Sequence, residues 1–136
     1  MIVVDASLVI ALILREDNVD RSELVYSALQ AEQLTVPAHW PAEIANGLWA
    51  NQRRGRIRAG RLDIIVEELF SFKPIIDAAP SAEQIPFLVQ FADAEKLTVY
   101  DAIYVQLALN CNASLATIDA DMRSCARRLD IPLLPA

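Results

Sequence analysis

The chain has one histidine, His39, two cysteines and only two lysines, Lys73 and Lys96. Each shortage closes a route. A lone imidazole cannot serve as general acid and general base at the same moment, as a two-histidine mechanism requires. His39 also sits in the wrong segment to activate Ser7 or Thr117 as a nucleophile. Cys111 and Cys125 lack a CxxC spacing and fall in helical patterns, so they read as reduced core or near-core thiols. No apolar run is long enough to cross a bilayer. Leu8 to Leu14 is halted by Arg15-Glu16-Asp17, and no basic residue precedes it, so the run lacks the n-region expected of a signal peptide. The expectation is a cytoplasmic protein with no membrane contact. Repeats and low-complexity tracts are absent. With 136 residues, 54% hydrophobic and 22% charged, the chain reads as one globular domain over residues 1–136.

What the chain does have is acid in apolar company. Val3-Val4-Asp5-Ala6-Ser7, Pro41-Ala42-Glu43-Ile44-Ala45-Asn46, Val99-Tyr100-Asp101-Ala102-Ile103-Tyr104 and Leu115-Ala116-Thr117-Ile118-Asp119-Ala120-Asp121 each set a carboxylate beside an apolar run. Ionised carboxylates rarely occupy such surroundings without a positive partner. Lysine is too scarce to be that partner four times. The natural compensator is a cation, and hard oxygen donors with almost no histidine favour magnesium or manganese over zinc. The net charge of −6 argues against a polyanionic partner, but the distribution reverses that. Arg53, Arg54, Arg56, Arg58 and Arg61 fall within nine residues, and Arg123, Arg127 and Arg128 form a second cluster. Five like charges repel unless something binds them, although a solvated helix corner would look the same.

Hydrophobic periodicity gives alternating elements. Ile2 to Val4 reads as a buried strand and Ser7 to Leu14 as a helix. Helices follow over Val19 to Ala31, Pro41 to Arg54, Ala59 to Phe72, Ala82 to Lys96, Tyr100 to Asn110 and Ala120 to Leu129. Strands fall at Leu34 to Val36, Ile75 to Ile76, Ser114 to Thr117 and Pro132 to Leu134. Short strands alternating with helices indicate an α/β sandwich with a small, mostly parallel central sheet. Asp5 and Asp119 then lie just past strand C-termini, where such sheets place ligands. Asp101 opens a buried helix, whose N-terminus favours an ionised carboxylate. Asn46 follows Glu43 on the same helical side. Taken singly, Asp5, Asp101, Asp119 and Asp121 are equally good helix caps or turn residues, and Glu43 an ordinary helix acid. Trp40, Trp49 and Tyr104 read as core or interface, and His39 as the start of a helix.

Together, in order and over nearly the whole chain, these four segments resemble the PIN-domain family, and within it the VapC-type toxins of toxin–antitoxin pairs. The resemblance implies a three-layer PIN-like sandwich and a magnesium- or manganese-dependent endoribonuclease. It implies a homodimer with an RNA substrate, inhibited by a small VapB-like antitoxin whose C-terminal segment covers the active site. The family's catalytic, metal-holding acids fall on Asp5, Glu43, Asp101 and Asp119. Ser7, Asn46 and Thr117 fall on supporting positions, with Asp121 as a further supporting acid. The arginines from Arg53 to Arg61 become candidate RNA or antitoxin contacts. Water activated by the ion would leave a 5′-phosphate and a 3′-hydroxyl. Two alternatives stand beside this reading: a PIN-like RNA- or protein-binding module without catalysis, and an α/β phosphoryl-signalling domain. A phosphatase of the latter kind needs a second acid two residues after Asp5, where Ser7 stands.

Overall fold

All five strands pair in parallel, in the order β3-β2-β1-β4-β5. The computed structural model describes every residue except Asp17, Asn18 and Asp20. Along the described chain run β1 (Ile2–Val4), α1 (Ala6–Ile13), α2 (Ser22–Ala31), β2 (Leu34–Val36), α3 (Trp40–Arg53) and α4 (Leu62–Ser71). They are followed by β3 (Ile75–Ile76), α5 (Ile85–Glu95), α6 (Val99–Cys111), β4 (Ser114–Ala116), α7 (Ala120–Arg128) and β5 (Leu133–Leu134). The mostly parallel sheet expected from the sequence is therefore wholly parallel among the described residues.

The strand order fixes where a ligand can sit. From β1 the chain steps outward to β2 and β3, then returns across the sheet to β4 and steps outward again to β5. Parallel crossovers are right-handed, so reversing direction moves the connecting helices to the other face. Accordingly α1 packs on α3 and α4, while α6 packs on α5, α7, β1 and β4. The reversal falls between β1 and β4, which pair Ile2 with Ser114, Val3 with Leu115 and Val4 with Ala116. Open parallel sheets bind ligands in the crevice at such a point.

The central strands are covered on both faces. Ile2, Val3, Val4, Leu115 and Ala116 are wholly inaccessible, which is why they read as unbroken apolar runs instead of alternating ones. Gly47 permits close approach of α3 to α1, because a Cβ there would lie 2.5 Å from Ile10 Cδ1. Several helices start away from their expected positions. Gly60, at φ +81°, makes a turn that delays α4 from Ala59 to Leu62. The helix expected from Val19 begins at Ser22, Asp20 lying outside the described residues. The helix expected from Ala82 begins at Ile85, with Pro86 in its first turn as anticipated. The α6 start moves the other way, to Val99, because Thr98 caps it by accepting the Asp101 N–H at 3.2 Å. Such a cap contributes about 1 kcal/mol.

Candidate active site

Four helix N-termini meet at the carboxyl edge of the sheet. α1 and α7 leave the ends of β1 and β4, α3 follows β2, and α6 runs back toward β4 so that its start lies at the same edge. Each carries one of the expected acids. Asp5 is the N-cap of α1 and Asp119 that of α7, while Glu43 and Asp101 stand in the first turns of α3 and α6. Helix N-termini favour negative charge, which is the local reason these acids can be gathered here.

All four line one cleft of about 720 Å³, together with Ser7, Asn46, His39, Tyr100 and Gly47. No Lys or Arg is among the described residues lining it. Asp5 is the most enclosed, only 5% exposed. Its Oδ2 accepts the Ser7 hydroxyl at 2.8 Å and the Thr117 hydroxyl at 2.9 Å, and its Oδ1 accepts the Ser7 N–H at 3.3 Å. Thr117 is fully buried and also accepts the Asp119 N–H at 3.0 Å, so one hydroxyl couples the two strand-end acids. Asp119 Oδ1 accepts the Met122 N–H at 2.8 Å, which caps α7.

The electrostatics match an uncompensated acidic cluster. Burial raises the pKa of Asp5, with hydrogen bonds from Ser7 and Thr117 pulling it down and the Asp119 charge pushing it up. Asp101 is raised from 3.8 to about 6, first by desolvation, then by the charges of Asp119 and Asp5. Glu43 adds to that rise, and a hydrogen bond with the Thr98 side chain opposes it. Charges this strongly coupled are within mutual reach. A hard divalent cation suits such donors. As they stand, no group of three or more His, Cys, Asp or Glu among the described residues is drawn into the tight geometry of a formed metal site.

Two expected site features lie elsewhere. Asp121 is exposed in the first turn of α7 and lines a separate groove with Glu95, Lys96, Ser124 and Arg128, not the acidic cleft. A residue two positions beyond an N-cap turns away from it, so adjacency in sequence misled here. None of the arginines from Arg53 to Arg61 lines the cleft either. Arg53 ends α3, ten residues beyond Glu43, which is about 15 Å along a helix. It lies over the exposed Trp49 ring at 5.1 Å, so Trp49 is neither core nor cleft. Arg56 pairs with Glu16 at 3.2 Å. In the second cluster, Arg123 donates to the carbonyls of Thr117 and Pro135, and Arg128 pairs with Glu95 at 2.9 Å.

The sequence reading did not place three aromatic residues at the site. Tyr104 is buried as expected of core, yet its hydroxyl donates to Glu43 Oε1. His39 precedes α3 as anticipated but also lines the cleft, its ring 5.3 Å from those of Tyr100 and Tyr104. Tyr100 is 64% exposed at the cleft mouth. The available signal was spacing, since Tyr104 follows Asp101 by three residues and therefore shares its side of α6.

Comparison with known proteins agrees with this arrangement. The PIN domain family profile matches residues 2–128. The chain is similar to Ribonuclease VapC3 of Pyrobaculum aerophilum, 34% identical over 121 residues, covering 89% of this chain and 91% of that protein. It is similar to Ribonuclease VapC3 of Mycobacterium tuberculosis, 30% identical over 118 residues, covering 87% of this chain and 82% of that protein. Its fold is similar to the crystal structure of PAE2754 from Pyrobaculum aerophilum, with a TM-score of 0.67 at 22% identity, covering 91% of this chain and 83% of that one. With an acid at the head of each of four helices around a parallel-sheet switch point, and a profile match over nearly its whole length, the chain belongs to the PIN-domain family.

Proposed function

We propose that this chain is a VapC-type endoribonuclease, the toxin of a type II toxin–antitoxin pair, whose cleavage depends on magnesium or manganese. The observation that carries the reading is the convergence of Asp5, Glu43, Asp101 and Asp119 on one cleft lined by neither lysine nor arginine among the described residues. In this reading the four acids are the catalytic cation ligands. Ser7 and Thr117 orient Asp5 through its Oδ2. Asn46, on the cleft wall one turn after Glu43, is a supporting polar group. Asp5, Glu43, Asp101 and Asp119 would hold a divalent ion, which would supply Lewis acidity toward water and the phosphate when bound. The protein's own part is to orient Asp5 through Ser7 and Thr117, gather the four carboxylates, and keep its own lysines and arginines out of the cleft, so that their uncompensated charge is left for the ion.

The sharpest test is RNA cleavage by the purified protein. It should proceed with magnesium or manganese, cease in EDTA and leave 5′-phosphate and 3′-hydroxyl ends. Undiminished cleavage in EDTA, or cyclic phosphate products, overturns the metal mechanism. The protein is expected to be cytoplasmic and to act as a homodimer. None of its described helices is long and apolar enough to cross a membrane. A VapB-like antitoxin would place a basic side chain among the four acids, which offer unbalanced negative charge.

Arg53, Arg54, Arg58 and Arg61 lie outside the cleft, so their proposed part is recruitment of RNA or antitoxin along the outer reach of α3 and the turn after it; Arg56 is partly engaged by Glu16. Substituting Arg53, Arg54 and Arg58 by Gln should flatten the salt dependence of RNA binding by about 0.7 in log–log slope per lost phosphate contact. An unchanged slope assigns the run to solvated surface.

A further inference from the structure

The hydroxyl of Tyr104 joins parts of the fold that carry three of the four acids. It donates to Glu43 Oε1 on α3 and accepts the Ala6 N–H at 3.4 Å, next to Asp5 at the start of α1. Its own ring is anchored in α6, one turn beyond Asp101, and is wholly inaccessible. Phenylalanine would fill that space equally well by volume. A buried phenol is costly without partners, so its presence calls for an account. His39 supports the same one. Its Nε2 lies 3.4 Å from that same Glu43 Oε1, is buried, and closes no hydrogen bond. Oε1 is therefore the inward oxygen of a side chain that is otherwise 37% exposed.

We propose that Tyr104 is a positioning residue: it engages Oε1 of Glu43 and thereby presents Oε2 to the cation. The inference rests on Glu43 being a cation ligand, as proposed above. A half-exposed glutamate left to itself samples many rotamers, and ordering it opposes binding. The tether fixes that side chain before any ion arrives. It also ties Glu43 to the N-terminus of α1, so the spacing between Glu43 and Asp5 is set by one oxygen atom. Outer partners of this kind are worth about 10- to 100-fold in metal affinity.

The test is manganese binding followed by electron paramagnetic resonance, with no substrate present. The parent, Tyr104→Phe and Glu43→Gln are compared, each also melted in EDTA. Tyr104→Phe should weaken manganese binding about 10- to 100-fold. In the Glu43→Gln background the same change should add little, because its route through Glu43 is already cut. Parent-like affinity in Tyr104→Phe beside a weakened Glu43→Gln overturns the role of Tyr104 and leaves the ligand set standing. Parent-like affinity in Glu43→Gln removes Glu43 from the ligand set and the inference with it. If Tyr104→Phe melts too early to titrate, protein labelled with 3-fluorotyrosine decides the matter. Magnesium should move the Tyr104 fluorine resonance in the parent and not in Glu43→Gln; a resonance that stays put in the parent overturns the proposal.

Discussion

Asp5→Asn should cut RNA cleavage by roughly 10²-fold or more and destabilise the protein as well. The two effects have one origin. Asp5 Oδ2 accepts both the Ser7 and Thr117 hydroxyls, and Oδ1 accepts the Ser7 N–H that caps α1. An amide keeps the shape but replaces one acceptor with a donor. Whichever way it turns, a buried donor faces another donor or the hydroxyls must reverse. Losing one such bond in a site this enclosed costs about 1–2 kcal/mol. A thermal melt in EDTA reads the stability loss directly. With magnesium at a hundredfold excess over its dissociation constant, the parent should gain about 2.7 kcal/mol by mass action, whereas Asp5→Asn gains little. Retained cleavage in Asp5→Asn, or an equal magnesium gain, removes Asp5 from the centre of the site.

Asp101→Asn should lose cleavage to a similar degree yet become more stable in EDTA at neutral pH. Its folded-state pKa is raised to about 6 by desolvation and by Asp119, Asp5 and Glu43. A raised carboxyl binds its proton more tightly folded than unfolded. The parent's stability from this group is therefore whole below about pH 4, falls as pH climbs from about 4 to about 6, and is lowest above that. Asparagine carries no charge to repel, so its advantage should be present at pH 7 and absent below about pH 4. The side chain is partly exposed, and after discounting for solvent screening the gain is on the order of 1 kcal/mol, or roughly 3 °C. The α6 cap belongs to Thr98, so nothing is lost there. A variant less stable than the parent in EDTA at pH 7 would show that Asp101 supports the helix more than it strains the site.

The sheet and its acids were legible for a plain reason. β-branched runs such as Ile2-Val3-Val4 leave few conformations open, and an acid directly after one has to lie at a strand end. Tyr104 was hidden because α6 is apolar on almost every side, and an isolated hydroxyl there gives no periodic signal. Thr98-Val99-Tyr100-Asp101 has the spacing of a capping box, which would have set the helix start correctly and freed Asp101 from the cap role. The arginine run was visible as charge, but charge density along a sequence says nothing of distance. The length of α3 carries Arg53 away from Glu43. For Asp121, two steps of helical rotation from Asp119 turned a neighbour in sequence into a residue of another surface.

If the four acids are the cutting centre, the pairing of β1 with β4 also sets when the chain could first cleave RNA. Thr117 reaches Asp5 across 112 residues of sequence. At ordinary rates of synthesis that stretch takes on the order of ten seconds to make. During that interval β1 has no inner neighbour on its β4 side, and Asp5 lacks both the Thr117 hydroxyl and its partner acid Asp119. On the proposed reading, a nascent chain bound to its own message is thus unarmed until β4 and the two acids' shared hydroxyl have been made. The late strand acts as a timer, separating manufacture of the nuclease from its onset and giving any inhibitor made alongside it a head start.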